Sequence, residues 1–335
     1  MGFSERSEEV SYNTVTLPAC RKLSWFFAAC HIESYQEEKM AVFTKSAVAI
    51  VTPFKEDDYS VNYDAFADLI DFHVANGTDA IVVCGSTGEA ATMTEQEHLE
   101  VCKFCIDYTK KRVPVIAGSG SNCTQTAIEL SRDIASYGAD GLLVIYPYYN
   151  KATQNGLVKH FTTVAEASNG CPVILYNVPS RTGGNINPET VARLVKDVPN
   201  IVGIKEASGN ISQIVKLMTL TDGNIELFSG NDDQVVPLMS MGGLGVISVV
   251  ANIAPKAVHD MCDKFLKGDV AGAARIQKDT LALCENLFTE VNPIPVKKAC
   301  NLMGMNVGPL RMPLTEMEEP NAKKLEDAMR AFGLL

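Results

Sequence analysis

The chain has 335 residues, of which 46% are hydrophobic, and its formal net charge at pH 7 is -11. This length allows one large or two ordinary domains with a full core. The acidic balance argues against a nucleic-acid partner, which requires a basic face. No apolar run reaches the roughly 18 to 20 residues that would span a bilayer, so no membrane segment is expected.

Residues 1–39 differ from the rest of the chain, because charged clusters surround a single apolar patch, LSWFFAAC. A signal peptide would need a basic start and a longer apolar core. The letters FAAC before His31 resemble a lipoprotein cleavage box only faintly. We therefore expect a poorly ordered tail or an incorrectly assigned start site, with Met40 as the natural start.

From residue 47 onward, eight short apolar runs alternate with longer amphipathic segments that open on Asn, Thr or Asp, as capped helices do. Eight such units, about 20 to 35 residues apart, predict an α/β fold, a parallel (β/α)8 TIM barrel over residues 40–265. No G-x-G-x-x-G follows the first run, which weakens a dinucleotide-binding alternative. The runs are AVAIVTPF (47–54), AIVVCGSTGE (80–89), VPVIAGSG (113–120), GLLVIYPYY (141–149), CPVILYNVP (171–179), IVGIKEA (201–207), IELFSGND (225–232) and GVISVVAN (245–252).

The chain continues well beyond the eighth run. Helical patterns near 255–267, 269–289, 295–303 and 320–332 exceed what barrel closure needs. Residues 266–335 are therefore predicted to be a helical appendage that packs on the barrel or on a neighbouring subunit.

The ten cysteines have no repeating spacing, which is typical of reduced thiols in a cytoplasmic protein. Cys102 and Cys105 form a C-x-x-C in an amphipathic helical segment, but a structural zinc site requires four ligands. We therefore interpret the pair as core. The histidines (31, 73, 98, 160, 259) fall in the leader or in predicted helices. No pair of them is expected at strand ends, so neither a catalytic metal nor a cofactor is predicted.

Lys205 lies near the end of the sixth run, at the barrel mouth where active sites form. It could form a salt bridge there, or it could be a Schiff-base nucleophile, which needs a free amine in a dry pocket. Lowering its pKa from about 10.4 to near 7.5 corresponds to roughly 4 kcal/mol, a shift that burial can supply. By strand alternation, Lys205 is expected to share its face with Gly203 and Ile201, while Glu206 faces away.

Other polar side chains follow neighbouring strands. Tyr176 could be a rim tyrosine with a hydrogen-bonded hydroxyl, or it could transfer protons to and from a substrate held on Lys205. Ser86 and Thr87 in GSTGE suit a carboxylate, although this composition is also that of an ordinary turn. Arg181 could clamp a second carboxylate through two hydrogen bonds or be a solvated loop residue.

Taken together, GSTGEAATM, PYYN, ILYNVPSRTG, GIKEASGN, FSGNDD and NPIPVKKA resemble the motifs of the dihydrodipicolinate synthase family. The resemblance runs from about residue 43 to the C-terminus. It implies a cofactor-free class I aldolase that condenses pyruvate with L-aspartate 4-semialdehyde in diaminopimelate and lysine synthesis. It also implies a homotetramer, a dimer of dimers.

The resemblance assigns the proton-transfer chemistry residue by residue. It implies that Lys205 forms the imine with pyruvate and that Tyr176 is the proton donor and acceptor. Ser86 and Tyr149 would complete the relay, with Tyr149 reaching in from a neighbouring subunit. The family usually has threonine where this chain has Ser86, which keeps the hydroxyl but loses the methyl group that restrains the rotamer.

The resemblance also assigns the substrate carboxylates. Thr87 and the backbone at Ile247 would hold the carboxylate of pyruvate, and Arg181 that of the semialdehyde. GSTGE also occurs in sialic acid lyases, whereas Arg181 in YNVPSRT suits an acidic second substrate. An aldolase acting on a sugar acid or sialic acid is the alternative enzyme. A catalytically silent paralogue would be expected to have a degraded site.

Lysine-inhibited relatives in the family bind lysine at the tight dimer interface through residues that include a histidine and a glutamate. The matching positions here are Glu95 and Thr126, while Tyr148, Asn122 and His98 are kept. Losing a carboxylate that pairs with an ammonium group lowers affinity. Weak or absent lysine feedback is therefore expected.

Overall fold

The computed structural model describes residues 41–335, and the leader predicted over residues 1–39 lies outside them. Eight parallel strands form a closed barrel in chain order, which confirms the predicted fold. Each strand lies within or overlaps one predicted apolar run. The strands are β1 (Lys45–Ala49), β2 (Ala80–Val83), β3 (Val115–Gly118), β4 (Gly141–Ile145), β5 (Val173–Asn177), β6 (Ile201–Glu206), β7 (Glu226–Ser229) and β8 (Gly245–Ser248).

Helices alternate with the strands and continue after β8. They are α1 (Tyr63–Ala75), α2 (Glu95–Thr109), α3 (Thr124–Ser136), α4 (Gln154–Ala167), α5 (Pro179–Thr182), α6 (Pro188–Asp197), α7 (Ile211–Thr221), α8 (Val235–Met239), α9 (Pro255–Leu266), α10 (Val270–Asp279), α11 (Leu281–Leu287), α12 (Ile294–Leu302) and α13 (Glu319–Phe332). In residues 41–335, no helix has the length and apolar content needed to cross a membrane.

Several of these helices begin where the sequence predicts a cap. The side chains of Asn62, Thr94, Thr153 and Asn210 each accept a hydrogen bond from the backbone N–H three residues later. Such a cap is typically worth about 1 kcal/mol because it satisfies an N–H that has no partner within the helix. The caps therefore fix where the chain turns from each strand end into the next helix.

The single helical pattern predicted over 269–289 is wrong in one respect. Two helices, α10 and α11, meet at Thr280. The Thr280 hydroxyl donates to the carbonyl oxygen of Ile276 at 2.9 Å and to that of Gln277 at 3.2 Å. A threonine that bonds back to the preceding turn bends a helix. The predicted boundary of the appendage at residue 266 stays a prediction.

Alternate strand residues separate into two apolar clusters, one inside the barrel and one under the helices. Ala47 and Phe228 belong to the inner cluster, and Val48 belongs to the outer one. The predicted inward face of β6 is wrong for Ile201, which belongs to the outer cluster, whereas Val202 belongs to the inner one. A register shift between β5 and β6 adds one residue at this point and reverses the alternation.

Two buried histidines should make the fold sensitive to acid. Burial lowers the pKa of His73 to about 3 and that of His160 to about 4. Both therefore stay neutral in the folded state but protonate in the unfolded state near pH 6.5. Above pH 6.5 both states are neutral and the histidines do not favour unfolding. As the pH falls below 6.5, protonation of the unfolded state lowers the free energy of unfolding. At pH 5 the loss should be about 2 kcal/mol per histidine.

Denaturant unfolding measured between pH 7.5 and pH 5 tests this expectation. The substitution His73→Gln removes one titration and keeps a polar group near Thr78, whose hydroxyl lies 3.3 Å from His73 Nδ1. It should flatten the loss of stability in this range. The substitution His160→Gln should flatten the loss by a similar amount. Equal slopes for His73→Gln and the unmodified protein would contradict the prediction.

Candidate active site

The pairing of β5 with β6 brings Lys205 and Tyr176 together at the carboxyl end of the barrel. The two residues are register partners, and Lys205 Nζ lies 4.5 Å from the centroid of the Tyr176 ring. Both side chains are buried, with 5% and 8% of their surface exposed. An amine and a phenol therefore share one water-poor space.

Lys205 has no salt-bridge partner among residues 41–335, so the salt-bridge alternative is wrong for the described chain. Burial lowers the pKa of Lys205 to about 8. The Asp232 carboxylate opposes this shift, and the Arg181 guanidinium adds to it. A usable fraction of the amine is therefore uncharged near neutral pH. Such an amine can attack a carbonyl carbon.

Gly230 provides the space beside Lys205. A Cβ atom at this position would lie 3.0 Å from Lys205 Cε and 2.6 Å from the Cβ of Ala207. A side chain at residue 230 would therefore clash with Ala207 and crowd the lysine. This glycine lies in FSGNDD, directly after β7, and was not predicted as a site residue.

Asp232 is the buried carboxylate that acts electrostatically on Lys205, and the sequence analysis missed it. Its oxygens accept hydrogen bonds from the Ser248 hydroxyl and from the backbone N–H groups of Val249, at 2.9 Å, and Val250, at 3.2 Å. These bonds hold the carboxylate on the turn after β8. The amine of Lys205 consequently keeps no salt-bridge partner within residues 41–335.

Tyr176 and Ser86 line the same cavity. Burial raises the pKa of Tyr176, against the lowering effects of Arg181 and Ser86. The phenol therefore keeps its proton at neutral pH. A protonated phenol next to a second hydroxyl can donate a proton and receive it again.

Asn292 links two predicted substrate-binding residues and was also missed. Its side-chain Nδ2 donates to the Thr87 hydroxyl at 2.9 Å, and its backbone carbonyl oxygen accepts from Arg181 Nη2 at 3.0 Å. Asn292 Oδ1 is buried and has no partner within residues 41–335. A buried polar atom of this kind is free to bind a ligand. Nothing in sequence spacing connects position 292 with positions 87 and 181.

These side chains line one cavity of about 480 Å³ at the barrel mouth. Its polar lining includes Ser86, Thr87, Tyr176, Arg181 and Lys205. The volume lies in the range of small-molecule sites. The structure thus brings together five of the seven predicted site residues.

Tyr149 and Ile247 are the two predicted residues that do not line this cavity. Tyr149 is 86% exposed and has a φ of 74°, which is unusual for a tyrosine. Ile247 is fully buried in β8, with its side chain inside the barrel. Their predicted roles stay predictions.

A buried ion pair anchors the turn that contains Ser86 and Thr87. Glu89 ends this turn and lies 2.8 Å from Lys297 Nζ, and both side chains are fully buried. The Lys297 amine also donates to the carbonyl oxygen of Pro309 at 2.6 Å. The C-terminal helical region therefore fixes the turn that contains Ser86 and Thr87, because breaking a buried pair costs about 3–5 kcal/mol.

Glu206 faces away from Lys205, which confirms the prediction from alternation. Its oxygens accept from Asn177 Nδ2 at 3.1 and 3.2 Å, from the Ser208 N–H at 2.7 Å and from Gln213 Nε2 at 3.1 Å. Since Asn177 follows Tyr176, this network ties together the strand ends that carry the amine and the phenol.

A second cavity, of about 540 Å³, contains the residues predicted to decide lysine feedback. It shares Ser86 with the first cavity and extends to Glu95, His98, Thr126 and Tyr148. The Thr126 hydroxyl donates to Glu95 Oε1 at 3.3 Å. Of these two positions, the one on α2 carries the carboxylate, at Glu95, and the one on α3 carries the hydroxyl of Thr126.

Comparison with known proteins identifies the family. The family model described as "Dihydrodipicolinate synthetase family" matches residues 42–332. The chain belongs to this family. A 4-hydroxy-tetrahydrodipicolinate synthase from Lachnoclostridium phytofermentans is 57% identical over 296 residues, which cover 88% of this chain and all of that protein. The resemblance found in the sequence is thereby confirmed.

Two solved structures of the dihydrodipicolinate synthetase family are similar over nearly the whole described chain. The enzyme from Cyanidioschyzon merolae, solved with lysine bound, has a TM-score of 0.85 and 41% identity, covering 88% of this chain and 99% of that one. The enzyme from Acinetobacter baumannii, solved in complex with pyruvate, has a TM-score of 0.84 and 41% identity, covering 87% and 99%.

Proposed function

We propose that this chain is a 4-hydroxy-tetrahydrodipicolinate synthase, a lyase that condenses pyruvate with L-aspartate 4-semialdehyde through an imine on Lys205. The observation that carries the proposal is the buried, unpaired amine of Lys205 next to the Tyr176 phenol. The family membership and the relatives named 4-hydroxy-tetrahydrodipicolinate synthase support the same reaction. The reaction belongs to diaminopimelate and lysine synthesis.

In the first half of the reaction, the uncharged amine of Lys205 adds to the ketone carbon of pyruvate. Tyr176 and Ser86 return a proton to the oxygen, which leaves as water and gives the imine. Thr87, held by Asn292, and the backbone at Ile247 are assigned to the carboxylate of pyruvate. Tyr176, which gave its proton to the leaving oxygen, then takes a methyl proton from the imine, and this gives an enamine, which is the carbon nucleophile.

In the second half, the enamine carbon attacks the aldehyde carbon of the semialdehyde, whose oxygen becomes the hydroxyl of the product. Arg181 is assigned to the carboxylate of this second substrate, since a guanidinium can bind both oxygens. The amino group of the semialdehyde then replaces Lys205 at the imine carbon. This step closes the ring and releases the enzyme.

We further infer a homotetramer, a dimer of dimers in which Tyr149 enters the site of a neighbouring subunit. The support is the exposure of Tyr149 in the single chain. We also propose a cytoplasmic location, because buried free thiols such as Cys102 and Cys300 are typical of a reducing compartment.

Purified protein should condense pyruvate with L-aspartate 4-semialdehyde in a steady-state assay and should not cleave sialic acid or related sugar acids. Cleavage of such acids without condensation would favour the alternative aldolase. Inactivity toward both classes would favour the silent paralogue.

The substitution Arg181→Ala should weaken use of the semialdehyde while leaving imine formation with pyruvate intact at a pH above the pKa of Lys205, which Arg181 helps to lower. Losing charge-assisted bonds of about 1.5–3 kcal/mol corresponds to a 10- to 100-fold fall in kcat/KM for the semialdehyde. Kinetics with each substrate varied in turn measure this effect. The substitution Arg193→Ala, at an arginine that pairs only with Asp197 on α6, is the control. An equal fall for both substrates would argue against the assignment.

Lysine feedback should be weak. Without the family carboxylate at position 126, loss of a charged pair should weaken lysine binding by about 10- to 100-fold. Rates measured over a range of L-lysine concentrations test this, with D-lysine as the control for ionic effects. Strong inhibition by millimolar L-lysine would refute the prediction.

A further inference from the structure

Three side chains that the proposed reaction does not use converge behind the catalytic turn. The sulfurs of Cys84 and Cys102 and one ring nitrogen of His98 all lie within 4.8 Å of one another. All three residues are buried. Cys84 directly follows β2, and His98 and Cys102 lie on α2.

The chain positions these groups through ordinary local geometry. His98 and Cys102 are four residues apart on α2, so they project from the same face of the helix. Cys84 has a φ of 52°, a left-handed conformation that is uncommon for a residue with a side chain. Its Sγ lies 3.8 Å from the carbonyl oxygen of His98. The strand end and the helix face therefore meet at this cluster.

The tautomer of His98 suits metal binding. Its Nε2 lies 2.7 Å from the carbonyl oxygen of Gly118, which can only accept, so Nε2 carries the proton. The unprotonated nitrogen of the neutral ring is then Nδ1. Metal-binding histidines typically donate their other ring N–H to a carbonyl or carboxylate in this way.

We propose that Cys84, His98 and Cys102 form a binding site for a thiophilic divalent cation of the Zn²⁺ class, outside the catalytic centre. Two sulfurs and one imidazole nitrogen are the soft donor set that such ions prefer. Tetrahedral zinc with bonds of about 2.0–2.3 Å places its ligands roughly 3.5–3.8 Å apart. The three side chains would therefore have to approach one another by about 1 Å.

The second cavity supplies the rest of the coordination. Cys84 and His98 line it, so a water molecule can enter as the fourth ligand, as in zinc sites with three protein ligands. Burial and the neighbouring Cys84 thiol raise the pKa of Cys102. The Cys102 thiol is thus protonated before binding, and the ion must displace its proton.

Occupation of the site inhibits the enzyme, because Cys84 is two residues before Ser86. Drawing Cys84 toward α2 moves the turn that carries Ser86 and Thr87. The inhibition of condensation rests on the proposed function, whereas binding of the metal ion can be measured whether or not the chain has that activity.

Titration of the reduced full-length protein with Cd²⁺ tests the site directly, through the ultraviolet absorption of cadmium–thiolate bonds. One equivalent should bind, with release of protons from the coordinating thiols. The substitution Cys102→Ser should weaken binding at least tenfold, on the order of the loss seen when metal sites are altered. Cys105→Ser is the matched control, since Cys105 is equally buried on the same helix and lies outside the cluster. Equal binding by Cys102→Ser and the unmodified protein would overturn the proposal.

X-ray absorption of the unmodified protein with one equivalent of Zn²⁺ gives a readout that does not depend on how the variants fold. Coordination by two sulfurs and one imidazole is expected, and coordination by oxygen and nitrogen alone would overturn the proposal. Condensation activity should fall as the metal binds in the unmodified protein and in Cys105→Ser, but not in Cys102→Ser. Equal inhibition of all three would place the ion on the catalytic residues instead.

Discussion

Replacing Lys205 with methionine is expected to lower the rate of condensation by about 10⁴-fold or more, because the covalent step is lost with the amine. Methionine has a similar length and no charge, so the buried position should remain filled. The fold should therefore persist while the reaction stops. Steady-state rates and thermal unfolding of the same preparation separate these two effects.

Borohydride trapping with pyruvate, followed by peptide mass mapping, identifies the nucleophile independently of the rate. The unmodified protein should carry one pyruvyl adduct, at Lys205, and Lys205→Met should carry none. Lys297 is an internal comparison, since it is even more deeply buried but is paired with Glu89. An adduct at Lys297 or any other lysine would overturn the mechanism.

The pH dependence of imine formation follows from the environment of the same amine. Because burial lowers the pKa of Lys205 to about 8, the rate should rise as the pH increases through about 8, where the uncharged amine becomes dominant. An ordinary lysine, with a pKa near 10.4, would still be gaining rate at pH 9.5. Since Arg181 helps to lower this pKa, Arg181→Ala should move the profile toward higher pH.

The fold could be predicted from the sequence because each strand of a closed parallel barrel is a separate apolar run with its own flanking caps. Alternation also placed Glu206 correctly. It failed for Ile201, since a register shift between paired strands depends on the neighbour and leaves no signal in a single run. The break at Thr280 was missed for a similar reason, because a helix-compatible pattern does not reveal a side chain that bonds back to its own backbone.

Site residues at strand ends could be predicted from the sequence. Site residues that come from a distant part of the chain could not. Lys205, Tyr176 and Ser86 share the barrel mouth by topology alone. Asn292 reaches Thr87 across more than 200 positions, and its Oδ1 is buried without a partner in residues 41–335. His98 was assigned to a helix correctly, but its ring reaches the end of β3. Contacts of this kind depend on packing and not on local sequence.

The substitution Tyr176→Phe should reduce the rate of condensation by about 10²- to 10⁴-fold, the usual contribution of a positioned proton donor. It removes only the hydroxyl, so the ring that lies 4.5 Å from Lys205 Nζ remains. Because burial raises the pKa of Tyr176, the lost group is a protonated phenol, and its absence slows every step that needs a proton at the imine.

Exchange of the methyl protons of pyruvate in D₂O, followed by NMR, isolates the proton-transfer steps from the second substrate. Tyr176→Phe should slow this exchange along with condensation, while borohydride still traps pyruvate at Lys205 on longer incubation. Tyr146→Phe is the matched control: Tyr146 is also buried, and its hydroxyl donates to the Ala152 carbonyl at 3.0 Å, away from the amine. If Tyr176→Phe exchanged protons as fast as Tyr146→Phe, the proton donor would have to be another group, and Ser86, whose hydroxyl lines the same cavity as Tyr176, would be the next residue to substitute.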